Sequence, residues 1–100
     1  MKRVIVVHGW EGRPHHCWFP WIKKELEKRK FEVIIPEMPM PDAPHIDRWV
    51  PFLAKLVGKP NENTYFVGHS AGSITILRYL EGLNDKEKIG GAVLVAGFTD

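Results

Sequence analysis

Gly68, Ser70 and Gly72 stand at the spacing G-x-S-x-G, between a short apolar run at 65–67 and a stretch with helical periodicity. Strand, sharp turn, then helix is the context in which this spacing lifts a serine hydroxyl clear of a sheet, with the two glycines letting strand and helix pass closely. A serine hydroxyl is a weak nucleophile at neutral pH. In acyl transfer it needs a base to take its proton and N–H donors to hold the oxyanion of the tetrahedral intermediate. One donor is expected from the backbone N–H of Ala71, the residue after the serine. The second is expected from the loop after the first strand, His8-Gly9-Trp10-Glu11-Gly12, where the N–H of Trp10 is the first choice and that of Glu11 the alternative. Alone, that segment also reads as a plain glycine turn. Its expected place beside Ser70 gives it a role.

The base is not apparent. Where an elbow of this kind carries a triad, the chain order is serine, acid, histidine, yet every histidine here precedes Ser70. His69 lies inside the elbow and reads as a packed or hydrogen-bonded neighbour. His8 reads as a residue that fixes its loop by a hydrogen bond, and His45 as a helix-start residue. His15 and His16 lie on the loop after the first strand, and Asp100 has no partner downstream. His15-His16-Cys17 is a poor metal site, because consecutive side chains diverge and no second ligand pair has suitable spacing. No metal is expected.

The elements that must position these groups alternate. Residues 2–7 read as a buried parallel strand, with four β-branched residues in succession. A first helix carries Trp18, Trp21, Ile22 and Leu26 at helical spacing, with Pro20 tolerable in its first turn. A second strand covers 31–35, and prolines 36, 39, 41 and 44 hold an extended connector. Ile46, Trp49, Val50, Leu53, Leu56 and Val57 form the apolar face of a second helix, in which Pro51 sits near the first turn or marks a kink. A third strand at 64–67 leads into a third helix at 71–81, with Ile74, Leu77 and Leu80 expected on its buried side. A fourth strand at 91–96 is apolar on both faces. This alternation predicts an α/β fold: a three-layer, doubly wound parallel sheet of four strands in order 2-1-3-4 with three helices. That order reverses between strands 1 and 3, where ligands bind at the carboxyl ends of strands. The loop after strand 1 and the Ser70 elbow meet there.

The elbow resembles the α/β-hydrolase superfamily. The runs 17–27, Met38-Pro39, Trp49-Val50-Pro51-Phe52-Leu53 and Ala92-Val93-Leu94-Val95-Ala96 look like one branch of it, the small serine-hydrolase family that includes the retinoblastoma-binding hydrolase. The resemblance spans essentially the whole chain. It implies a cofactor-free hydrolase with Ser70 as nucleophile and carboxylic ester or peptide-type substrates, its acid and histidine lying beyond residue 100. The L-x-C-x-E motif of retinoblastoma binding is absent, since Cys17 lacks the required neighbours, and that partner is not implied. The sheet suggests extension independently. Right-handed crossovers put the first helix on one face and the other two on the opposite face, leaving strands 3 and 4 bare beside the first helix. Tyr65, Phe66, Val67, Val93, Leu94 and Val95 are nevertheless apolar on both faces. Residues 1–100 are therefore expected to be the N-terminal part of a single, larger α/β-hydrolase domain.

Composition narrows the partners. With 44% hydrophobic and 26% charged residues and a net charge of +2, the chain is ordinary for a globular domain. The basic residues Lys23, Lys24, Lys28, Arg29 and Lys30 interleave with Glu25 and Glu27, which describes a solvated helix face rather than a nucleic-acid surface. The apolar run at 4–7 is too short for a signal peptide or a membrane span. A single cysteine fits a reducing compartment. The expected setting is cytoplasmic, with no nucleic acid and no membrane; the small-molecule ester or peptide-type substrate is what the resemblance implies, and the oligomeric state is open. Two rivals share the fold: a non-catalytic binding module, and an acyltransferase or thioesterase using the same serine.

Overall fold

The computed structural model describes residues 2–8, 19–39, 46–84 and 86–95. Strand β1 (Arg3–Val7) is followed by helix α1 (Phe19–Lys28), β2 (Glu32–Ile34), α2 (Ile46–Val57), β3 (Thr64–His69), α3 (Ala71–Glu81) and β4 (Gly91–Val95). The four strands form one parallel sheet in the order β2-β1-β3-β4, as the alternation of elements predicts. β1 is an interior strand and is apolar from Val4 to Val7. Val4, Ile5, Val6 and Val7 are 0–2% exposed, a pattern open only to a strand covered on both faces.

Two cores lie on the two faces. Ile5, Val7 and Phe66 point towards α2 and α3, where they meet Trp49, Leu53, Val57, Ile76 and Tyr79. Val4, Val6 and Val33 point the other way and pack with Leu26 of α1, Phe31, Tyr65 and Val67. The α2 pattern holds: Trp49, Leu53 and Val57 fall at i, i+4 and i+8 on one buried stripe. Each contributes about 1.5–3 kcal/mol by leaving water. Pro51 is the sixth residue of α2, inside the helix and not in its first turn, and is exposed. At the C-terminal end of α2 the guanidinium of Arg3 donates to the Val57 carbonyl at 2.7 Å, supplying a cation where the helix presents unpaired acceptors.

Three expectations change. In α3 the buried residues are Gly72, Ser73, Thr75, Ile76 and Tyr79, whereas Ile74 and Leu77 are 39% and 47% exposed. Gly72 must meet the end of β1, and this sets the helix phase; Ile74, about 200° further round, then faces outward. Leu80 is half-buried against the core, as expected. Trp21 also departs from the core, at 62% exposed, while Ile22 and Leu26 turn inward. Finally, β3 runs two residues further than the apolar pattern, to His69, so that the strand leads directly into Ser70.

The bare face expected over strands 3 and 4 is found at β4 and not at β3, whose Tyr65 and Val67 are half-buried and pack into the core on the α1 side with Leu26. Val67 pairs in register with Val93, and His69 with Val95, on the α1 side of the sheet, where Val93 is 60% and Val95 39% exposed. On the other side Leu94 is 37% exposed, because α3 lies over β3 and β1. Among the described residues no helix is long and apolar enough to cross a membrane.

Tyr79 is 5% exposed, its ring packs on Phe66 at 5.4 Å, and its hydroxyl has no hydrogen-bond partner among the described residues. Desolvation, reinforced by the charge of Glu87 and opposed by that of Arg3, raises its pKa above the ordinary 10.0. The folded state therefore holds the phenolic proton longer than the unfolded chain. Stability from this group is full below about pH 10 and falls as pH rises from there through the folded pKa. Tyr79→Phe is expected to be neutral or stabilising by up to about 1 kcal/mol at pH 7 and to flatten the alkaline loss, since it deletes an unpaired buried hydroxyl. Urea midpoints at pH 7 and pH 10.5 test this; a marked loss at pH 7 would show that the hydroxyl has a stabilising partner.

Candidate functional site

Ser70 is the single residue between β3 and α3, and its backbone stands at φ 57 and ψ −119. Positive φ is uncommon for a residue with a Cβ, and this ψ lies outside even the left-handed helical well. Lys30, in the turn before β2, is the other non-glycine residue described with positive φ. Strained conformations of this sort cost roughly 1–3 kcal/mol and persist where the surroundings over-determine them. Here three elements do so.

Gly72 is the first. A Cβ at Gly72 would lie 2.7 Å from the His8 carbonyl oxygen and closer still to that of Val7, so the first turn of α3 rests directly on the end of β1. Gly68 is the second: a Cβ there would fall 2.9 Å from both the Cα and N of Ser73 and 2.7 Å from Ile76 Cδ1. The third is β4. The Ser70 N–H donates to the Val95 carbonyl at 2.9 Å, while the Ser70 carbonyl accepts from the Ser73 N–H at 2.9 Å. An ordinary N-cap serine turns its hydroxyl back onto the helix. Ser70 makes no such bond, which leaves its oxygen for other chemistry.

His8 follows β1 at the switch point, fully buried. Its Nε2 accepts from the Met38 N–H at 3.0 Å, and its ring meets Trp49 edge-on at 5.5 Å. An accepting nitrogen carries no proton, so this ring is neutral at Nε2. The Trp49 indole N–H in turn donates to the Pro39 carbonyl at 2.6 Å. Thus the connector after β2 is tied both to the end of β1 and to α2. His8→Leu keeps much of the volume but leaves the buried Met38 N–H without its acceptor. A loss of about 1–3 kcal/mol in urea unfolding is expected; unchanged stability would show that the bond carries no weight.

Of the other candidates, the Ala71 N–H is the first of α3 and has no intrahelical acceptor. His69 is half-buried at the end of β3, in register with Val95. Gly9, Trp10, Glu11, His15, His16, Cys17, Trp18, His45 and Asp100 lie outside the described residues. Among the described residues no group of three or more His, Cys, Asp or Glu side chains could hold a metal ion. A cavity of about 270 Å³ opens between α2 and α3, lined in part by Val50, Tyr79, Gly82 and Leu83. It lies at the far end of α3 from Ser70, so it is not where that serine acts. One residue was not anticipated. Ser73 donates its hydroxyl to the Val95 carbonyl at 3.1 Å, and the only sequence signal for it is a serine three positions after Ser70 on a helix face otherwise small or apolar.

Known proteins resemble this chain in sequence and in fold. A family model described as Serine hydrolase matches residues 4–100. The chain is 39% identical over 97 residues to the putative hydrolase YdeN of Bacillus subtilis, covering 97% of this chain and 51% of that protein. It is 31% identical over 100 residues to serine hydrolase RBBP9 of Rattus norvegicus, covering 98% and 51%. The crystal structure of the B. subtilis ydeN gene product superposes with a TM-score of 0.88 at 37% identity, over 94% of this chain and 50% of that one. The chain spans about half the length of the curated relatives it matches.

Proposed function

This chain belongs to the serine hydrolase family, and from that premise we propose that it carries the nucleophile side of an acyl-transfer site, with Ser70 attacking a carboxylic ester or an amide- or peptide-type carbonyl. The observation that carries the reading is the Ser70 backbone at φ 57 and ψ −119, with a hydroxyl that does not cap its helix. Ser70 Oγ bonds to the carbonyl carbon as its proton passes to a histidine base outside residues 1–100, oriented by an acid also outside them. The oxyanion is held by the N–H of Ala71 and by that of Trp10, with Glu11 as the alternative to Trp10. Collapse of the intermediate expels the alcohol or amine, which takes the proton from the histidine, and leaves the acyl group on Oγ. Water then attacks this ester, giving the acid and restoring the serine. His8, Gly9, Gly68, His69 and Gly72 serve as supports of the elbow and of the donor loop. The substrate is a small ester or peptide-type molecule, and the chemistry calls for no cofactor.

A fluorophosphonate probe tests this on the full-length protein. One phosphonyl adduct is expected, on the peptide carrying Ser70, and its formation should block hydrolysis of a short-chain p-nitrophenyl ester. No adduct, or an adduct on another residue, rejects the reading and favours a binding module built on the same fold.

A further inference from the structure

Val95, the last residue of β4, offers one carbonyl oxygen to two donors from the elbow: the Ser70 N–H at 2.9 Å and the Ser73 hydroxyl at 3.1 Å. An amide oxygen has two lone pairs, so these bonds satisfy it. Ser73 is 7% exposed, and its own N–H donates to the Ser70 carbonyl at 2.9 Å. It therefore grips Ser70 from both sides, directly through the backbone and indirectly through Val95.

We propose that Ser73 is a positioning residue for Ser70: its hydroxyl pins the end of β4 to the first turn of α3 and so holds the Ser70 peptide in its strained conformation. This rests on the reading of Ser70 as the nucleophile. The contacts of Gly68 and Gly72 are limits on approach, since they stop the turn from sinking into the sheet. They do nothing to stop it from lifting away. The bonds to Val95 supply that opposing restraint. Ser70 contributes only the backbone one, which extends the β3–β4 ladder, and Ser73 contributes the side-chain one. A strained turn can relax if one restraint is lost, and relaxation would move both Ser70 Oγ and the adjoining Ala71 N–H, the two groups whose mutual placement acyl transfer depends on. The same bond distinguishes the two serines. The Ser73 proton is committed to a carbonyl, so Ser73 is not a second nucleophile, although it lies less than one helical turn from the first.

Two variants of the full-length protein test the proposal, Ser73→Ala, which deletes the donor, and Ser73→Cys, which keeps the size with a weak S–H donor. Amide exchange at the Ser70 N–H is expected to quicken about five- to tenfold in Ser73→Ala, the scale of one hydrogen bond, and less in Ser73→Cys. The rate constant for fluorophosphonate addition, counted per titratable site, is expected to fall about tenfold in Ser73→Ala and less in Ser73→Cys, because a small displacement of a nucleophile costs rate steeply. KM for a p-nitrophenyl ester should hold within about twofold, since only the transition state needs the exact alignment. Counting per site separates this from misfolding, which lowers the number of sites and not their reactivity. Unchanged exchange at Ser70 overturns the clamp. Faster exchange with an unchanged per-site rate overturns the positioning role and leaves Ser73 a packing residue. A wild-type protein that forms no adduct rejects the nucleophile reading and the positioning role with it, while exchange still decides whether the clamp exists.

Discussion

With Ser70 as the proposed nucleophile, Ser70→Ala is expected to lower ester hydrolysis by the full-length protein by about 10⁴-fold or more with KM little changed, because the proposed binding and oxyanion groups would survive while the bond-forming atom is gone. The backbone at this position predicts a second effect, on stability. At φ 57 and ψ −119 a residue with a Cβ bears strain of roughly 1–3 kcal/mol, and glycine bears little of it. Glycine also makes the unfolded chain more flexible, which offsets part of the gain. Ser70→Gly is therefore expected to be as inactive as Ser70→Ala yet about 1 kcal/mol more stable than it. The alanine variant is the necessary control, since both remove the hydroxyl and only one removes the Cβ. Equal urea midpoints for the two would mean that the turn relaxes once the side chain is cut back, and that the strain belongs to the serine side chain and not to the elbow.

The largest loss of stability is expected from Gly72→Ala. The added methyl would sit 2.7 Å from the His8 oxygen and nearer to the Val7 oxygen, and these belong to the last residue of β1 and the one after it, both buried. Backbone in the centre of a sheet cannot yield as a flexible side chain does. The helix must move instead, and its first turn carries Ser70, Ala71 and Ser73. A loss of about 3 kcal/mol is expected, at the upper end of what an extra methyl costs in a packed interior. Activity should fall about 100-fold or more among the molecules that remain folded, since a shift of 1 Å in a reacting group can cost that much. Gly68→Ala meets Ile76 Cδ1, which can turn aside, as well as the Ser73 backbone, and should cost less. Urea unfolding orders the two variants. Wild-type stability in Gly72→Ala would mean that α3 can back away from β1 freely, and that the close approach is not a restraint on the elbow.

Much of this arrangement is legible in the residues because it is local. Four consecutive β-branched or apolar residues at 4–7 announce a strand covered on both faces, and each is buried. Glycine, serine and glycine at fixed spacing announce a turn that only such a spacing permits, and Ser70 adopts it. Alternation and crossover hand, rules that do not depend on which side chains are present, limit the strand order, and the order observed is the one expected. The phase of α3 is a different matter. By apolar periodicity Ile74 and Leu77 compete with Ile76 and Tyr79 for the inner face, and hydrophobicity alone favours the wrong pair. What decides is that a glycine must pass the end of β1, a steric demand of the partner strand. Trp21 illustrates the same limit, since it shares the helical pattern of Leu26, yet Leu26 packs into the core beneath α1 and Trp21 is left 62% exposed.

The sequence by itself determined the elements, their order, the strand–turn–helix around Ser70 and the kind of chemistry a serine there can do. Each of these rests on residues within a few positions of one another. Only the tertiary structure decided that His8 is held by Met38, 30 positions away, and that Ser73 is held by Val95, 22 positions away. It also decided that Val67 is covered on the α1 side, where strands 3 and 4 are both expected bare, while Val93 and Val95 beside it stay 60% and 39% exposed. The physical reason is register. A hydroxyl finds a distant carbonyl only when β3 and β4 pair with Gly68 beside Leu94 and His69 beside Val95, and no local pattern around Ser73 carries that pairing.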